Sequence, residues 1–125
     1  SEGTKLPSGE KISDIKKVFD ENLLGVILTC ISPENFEQNF NELKSLDVPY
    51  GFKFNAFETT QPKDGYTTSY GKSNGNPNEF LGQRKDLTPE VIAKLAKKFK
   101  ENGATMLGGC CETTPAHIEA IKKIL

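Results

Sequence analysis

Apolar residues cluster in three short runs bounded by turn-forming residues: 25–30 (GVILTC), 50–57 (YGFKFNAF) and 104–110 (ATMLGGC). Near-continuous apolar runs of this length are the mark of buried parallel strands. Between and around them the period changes to that of helices. Ser32-Pro33-Glu34 opens SPENFEQNFNELKSL, Thr88-Pro89-Glu90 opens TPEVIAKLAKKFKENG, and Thr114-Pro115 opens TPAHIEAIKKIL. A hydroxyl N-cap followed by proline at the first helical position is a specific start signal. In the second of these helices Val91, Ile92, Leu95, Ala96 and Phe99 are expected to share the buried face, with Gly103 closing the C-terminus. Ile12, Ile15 and Phe19 predict one more helix ahead of the first strand. The order is therefore helix, strand, helix, strand, long loop, helix, strand, helix, an α/β pattern of parallel βαβ units.

Residues 58–86 break this rhythm. They are rich in Gly, Pro, Asn, Ser and Thr, and far exceed the usual connection of about 2–6 residues between strand and helix. A disordered surface insertion would explain the composition. A lid would also explain it, because loops that follow parallel strands gather over the strands' C-terminal ends, and Tyr66, Tyr70 and Phe80 are aromatic residues that a solvated linker does not need.

At 125 residues, 35% hydrophobic and 26% charged, the chain suits one modest globular domain. A net charge of -1, with lysines dispersed among carboxylates, argues against a nucleic-acid partner. No apolar run approaches the roughly 18 residues of a membrane span, and the polar start SEGTKLPSGEK cannot serve as a signal-peptide core. A cytoplasmic location is expected.

Three cysteines cannot all pair within the chain, and adjacent ones such as Cys110 and Cys111 rarely form a disulfide. Cys30 ends the first predicted strand, and Cys110 with Cys111 ends the third. In a parallel sheet those ends share one side, so thiols eighty positions apart (110 − 30) can meet. Three thiolates at about 2.3 Å suit zinc; three reduced cysteines in an α/β core are the plain alternative. Gly108 and Gly109 are expected to let the backbone turn so that both following thiols face one point. His117 is the only histidine and could in principle close such a site, although the start of a helix more often places a lone histidine at the surface.

MLGGCCETTPAHIEAI resembles the C-terminal signature of the zinc-dependent homocysteine S-methyltransferase family. GVILTCISPENF and LPSGEKISDIKKVF extend the resemblance over nearly the whole chain. The resemblance implies zinc held by Cys30, Cys110 and Cys111, with a fourth position left for the thiol of homocysteine. It also implies methyl transfer from a sulfonium, betaine or folate donor to form methionine. Asn55, in FNAF, is similar to an asparagine of the family and is a candidate substrate-binding group. Two departures stand out: Thr29 precedes the first cysteine where asparagine is common, and Glu112 stands where glycine is more usual.

The family fold is a (β/α)8 barrel of roughly 250 residues, so the resemblance implies that residues 1–125 form a single partial domain, the C-terminal part of the barrel with about three parallel strands. Such a part is expected to be inactive alone, and to self-associate or pair with the missing N-terminal half. A non-catalytic zinc- or thiol-binding module and a thiol redox protein are the competing readings.

Overall fold

The computed structural model describes residues 3–6, 8–59 and 81–125. Strands β1 (Val26–Ile31), β2 (Tyr50–Phe54) and β3 (Met106–Gly109) form one parallel sheet in the order β1-β2-β3. Helices α1 (Pro33–Gln38) and α2 (Phe40–Lys44) connect the first two strands, α3 (Pro89–Glu101) leads into β3, and α4 (Pro115–Ile124) follows it. The alternation of helix and strand is as the sequence pattern predicts. Tyr66, Tyr70, Phe80 and the body of the predicted lid lie outside the described residues.

The local starts follow the caps. Ser32 Oγ accepts from the Asn35 N–H at 3.2 Å and Thr88 Oγ1 from the Val91 N–H at 3.4 Å, satisfying donors that a helix start leaves unpaired. At the end of α3, the Ala104 N–H reaches the Phe99 carbonyl and the Gly103 N–H the Lys100 carbonyl, both at 2.9 Å. This is a Schellman closure, and Gly103 takes the left-handed φ of 113° that it requires.

Several boundaries differ from the sequence pattern. The predicted first helix is a 3-10 helix (Ile12–Val18), held from outside by the Ser13 N–H donating to Glu42 at 3.1 Å. The second is interrupted at Asn39, whose side-chain amide donates to the Asn35 carbonyl at 2.7 Å and to the Gly3 carbonyl at 2.8 Å. It thereby ties the chain's start to α1. Strand β2 stops at Phe54, because Phe57 turns away to bridge Gln83 in antiparallel fashion. The buried stripe of α3 is Ile92, Ala93, Ala96 and Phe99, while Val91 sits at the rim, 37% exposed.

The sheet has two unlike faces. Toward the helices, Phe52 and Phe54 stack at 3.7 Å between centroids, and Phe36 of α1 meets both edge-on together with Phe99 of α3. Val26, Leu28 and Leu107 pack onto this same core. The opposite face carries the rows Ile27–Gly51–Met106 and Thr29–Lys53–Gly108. Ile27 is 44% exposed there and Lys53 is exposed, so no helix among the described residues covers this side.

Candidate metal centre

At the C-terminal edge of the sheet the register slips. Thr29 pairs with Lys53 and Ile31 with Phe54, leaving Cys30 as the extra residue of a bulge. Bulges re-aim a side chain at the cost of a local kink, and here Cys30 takes a left-handed φ of 56°. A non-glycine residue in that region carries strain of about 1–3 kcal/mol, which neighbouring contacts must hold. Asn55 supplies them. Its backbone N–H donates to the Ile31 carbonyl at 3.1 Å, and its side-chain amide donates to the Cys30 carbonyl at 2.8 Å, with Cys30 Sγ 3.7 Å away. Asn55 is only 1% exposed.

On the other strand, the Cys110 N–H donates to the Phe54 carbonyl at 2.7 Å and extends the ladder by one step. The chain then reverses: the Thr113 N–H reaches back to the Cys110 carbonyl at 3.1 Å, with Cys111 and Glu112 at the corner. Glu112 has φ 61° while Cys111 does not share the positive sign. That is the pattern of a type II turn, whose third residue favours glycine. Glu112 thus occupies a backbone position that favours glycine. Gly108 and Gly109 do not make the turn, contrary to the sequence expectation, since neither has a positive φ. Gly109 is required for close approach, because a Cβ there would lie 2.9 Å from the Thr113 Cβ and closer still to its hydroxyl.

These two strand ends bring the cysteines together. Cys30 Sγ and Cys110 Sγ each lie 3.8 Å from Cys111 Sγ, and all three sulfurs fall within 4.8 Å of one another. Four sulfurs about 2.3 Å from a central ion form a tetrahedron with edges of about 3.8 Å. The donor set and its spacing thus fit zinc. Burial and the neighbouring Cys110 and Cys30 thiols push the Cys111 thiol up to about 11. For Cys110 burial works in the same direction but is outweighed by the Cys111 backbone N–H, the two adjacent thiols and the charge of Lys53, so it ionises more readily than an ordinary cysteine. Deprotonating Cys111 at neutral pH requires a cation.

A second layer holds the frame. The Ala56 N–H donates to the Cys111 carbonyl at 3.0 Å, and the Arg84 N–H to the Ala56 carbonyl at 2.8 Å. The Arg84 guanidinium grips Glu34 of α1 bidentately, 2.8 Å for each bond, and also pairs with Asp86. These bonds from Arg84 hold the Glu34 carboxyl below its ordinary value. The clamp's contribution is therefore present at neutral pH and lost as pH falls through that lowered value. Sequence reasoning missed Arg84, because a charged residue at the end of a polar loop carries no local signal of its partners. The stems of that loop, 57–59 and 81–84, are paired to each other and to the cysteine-bearing edge.

His117 is not a surface residue. It is 8% exposed. Its Nδ1 accepts from the Thr114 N–H at 3.0 Å, and its Nε2 donates to the Leu87 carbonyl at 3.0 Å. With both ring nitrogens committed, it pins the start of α4 to the start of α3 and is not among the clustered metal ligands. His117→Ala strands these buried partners and is expected to cost about 1–3 kcal/mol, read as a lower urea midpoint. An unchanged midpoint would contradict the pinning role.

The family model described as homocysteine S-methyltransferase matches residues 1–125, and the chain belongs to that family. Among individual relatives, it is 29% identical over 126 residues to homocysteine S-methyltransferase 1 of Zea mays, covering 99% of this chain and 35% of that protein. It is 27% identical to homocysteine S-methyltransferase 3 of Arabidopsis thaliana, with 99% and 33% covered. The selenocysteine methyltransferase of Astragalus bisulcatus is also 27% identical, again with 99% and 33% covered. The chain thus spans about a third of the length of these relatives. No helix among the described residues is long and apolar enough to cross a membrane.

Proposed function

We propose that the chain is the cysteine-bearing C-terminal part of a methyltransferase barrel, and that Cys30, Cys110 and Cys111 hold the zinc at which the thiol of homocysteine is methylated to methionine. The observation that carries this reading is the meeting of three thiols from two strand ends within 4.8 Å, in a chain whose family is named for that substrate. The barrel is supported by the strand order and by a face that no helix among the described residues covers. Successive parallel strands lie side by side with helices on one face, as in consecutive units of a (β/α)8 fold, whose other face is filled from the remaining strands.

Bound zinc would keep the substrate sulfur in its thiolate form at neutral pH. The chain's own residues prepare that position. The bulge aims Cys30, the type II turn presents Cys110 and Cys111, and Asn55 holds the Cys30 backbone. With its amide spent on Cys30, Asn55 serves the substrate by fixing a ligand and not by touching homocysteine. The groups that hold the amino-acid portion, and the donor pocket for a sulfonium, betaine or folate methyl, fall to the other two thirds of the barrel. A reducing, cytoplasmic setting suits the three free thiols. The open sheet face suits pairing with that remainder or self-association.

Methionine formation from homocysteine, with each donor class in turn and with the other barrel strands supplied, tests the assignment. Turnover is expected to depend on zinc and on all three cysteines. Stoichiometric zinc without methyl transfer would favour the binding-module reading. Thiols that cycle with a disulfide oxidant while zinc is bound would favour the redox one.

A further inference from the structure

Lys53 is the one charged residue within the three strands. It lies in the central strand, on the face that no helix among the described residues covers, with Thr29 and Gly108 as its neighbours across the sheet. The position is a costly one for an ammonium once further strands close over that face, unless it has a partner. Among the described residues its ammonium makes no ion pair and no hydrogen bond, whereas Lys17, Lys97, Lys98 and Lys123 each pair with a carboxylate.

Its surroundings point toward the cysteines. Thr29, its partner on β1, directly precedes Cys30, and Gly108, its partner on β3, is two residues before Cys110. A Cβ at Gly108 would sit 3.4 Å from Lys53 Cγ, so the glycine leaves the lysine stem room across β3. The same alternation that sets Lys53 on the open face carries on to Asn55, which touches Cys30. The charge of Lys53 is also felt at Cys110.

We propose that Lys53 is the counter-ion of the three-cysteine cluster, its ammonium offsetting the negative charge that the thiolates accumulate on holding a divalent metal. The inference rests on the reading of the cysteines as the metal site. Three thiolates around a divalent ion leave one net negative charge, and a thiol substrate bound as thiolate makes two. Glu112, beside Cys111, adds to the repulsion, so a cation on the adjacent face has a defined task. Lys53 is a positioning residue in this scheme, acting on the ligands and not on the reacting atoms.

Zinc affinity, measured by competition with a chromophoric chelator at low salt, tests it. Lys53→Gln is expected to bind zinc about tenfold more weakly, Lys53→Arg to stay within about twofold of the wild type, and Lys122→Gln, a distant loss of the same charge, to change nothing. The Lys53→Gln deficit should shrink in about 0.5 M salt, where exposed charges are screened. Cobalt(II)-loaded Lys53→Gln should keep its thiolate charge-transfer bands, which shows that all three cysteines still coordinate and that the variant is folded around them. Equal zinc affinity in the wild type and Lys53→Gln overturns the proposal, as does a deficit that arginine fails to restore or that salt leaves intact. A wild type that takes up no zinc removes the metal-site reading itself and this inference with it, a result distinct from the others.

Discussion

Replacing Cys110 with serine is expected to lower bound zinc from about one ion per chain to less than about 0.1 under competing chelator. Losing a partner of a ligand typically costs 10–100-fold in metal affinity, and losing the ligand itself must cost more. Serine keeps the size and the β-turn but presents a hydroxyl that does not ionise at neutral pH. The backbone bond from Cys110 to Phe54 is untouched, so the variant should fold and the deficit should be one of coordination. Cys30→Ser and Cys111→Ser should behave alike, because the three sulfurs form one cluster. Zinc uptake by the wild type should also weaken as pH falls. Each bound thiolate displaces a proton, and the Cys111 thiol, pushed up to about 11 by burial and its neighbours, has the most to give up. Elemental analysis after dialysis reads the first effect and chelator competition across pH the second. Equal zinc in wild type and Cys110→Ser would remove the metal assignment.

What the sequence makes legible is what local chemistry dictates. Ser32-Pro33, Thr88-Pro89 and Thr114-Pro115 mark helix starts because a cap and a preset φ act within one turn, and all three helices begin there. The meeting of Cys30 with Cys110 and Cys111 is legible too, since strand ends in a parallel sheet share a side. What escapes depends on register and on distant partners. The bulge that aims Cys30 arises from a mismatch between β1 and β2, to which no single residue in GVILTC testifies. The burial of His117 escapes because its two partners, Thr114 and Leu87, give no sequence signal. Asn55 stands out as a polar group at the site, but its orientation toward Cys30 is a tertiary fact. Lys53 does leave a signal, a lone charge within YGFKF. A charge that interrupts an otherwise apolar strand calls for a partner, and the sequence alone does not say which group that is.

Phe36→Ala should be the most destabilising single change, costing about 3–5 kcal/mol through lost burial and the cavity left behind. Phe36 is fully buried. It is also the hub at which α1, β2 and α3 meet, with ring centroids 5.0 Å from Phe52, 5.7 Å from Phe54 and 4.9 Å from Phe99, all edge-on. Such pairs add about 0.5–1.5 kcal/mol beyond burial. A loss on this scale is comparable with the whole stability of a small domain, commonly about 5–15 kcal/mol. Phe36→Leu, which refills most of the volume, should cost clearly less. The site and the core are linked, because α1 begins three residues after Cys30 and its Glu34 is gripped by Arg84. Zinc binding only to the folded chain stabilises it by about 2.7 kcal/mol at one hundred times its dissociation constant. Phe36→Ala should therefore depend on zinc for its fold, showing a urea transition with the metal and a broad loss of near-ultraviolet signal without it, while the wild type unfolds cooperatively in both conditions. A variant whose transition matches the wild type's in the absence of zinc would mean that the aromatic cluster does not join the helices to the sheet.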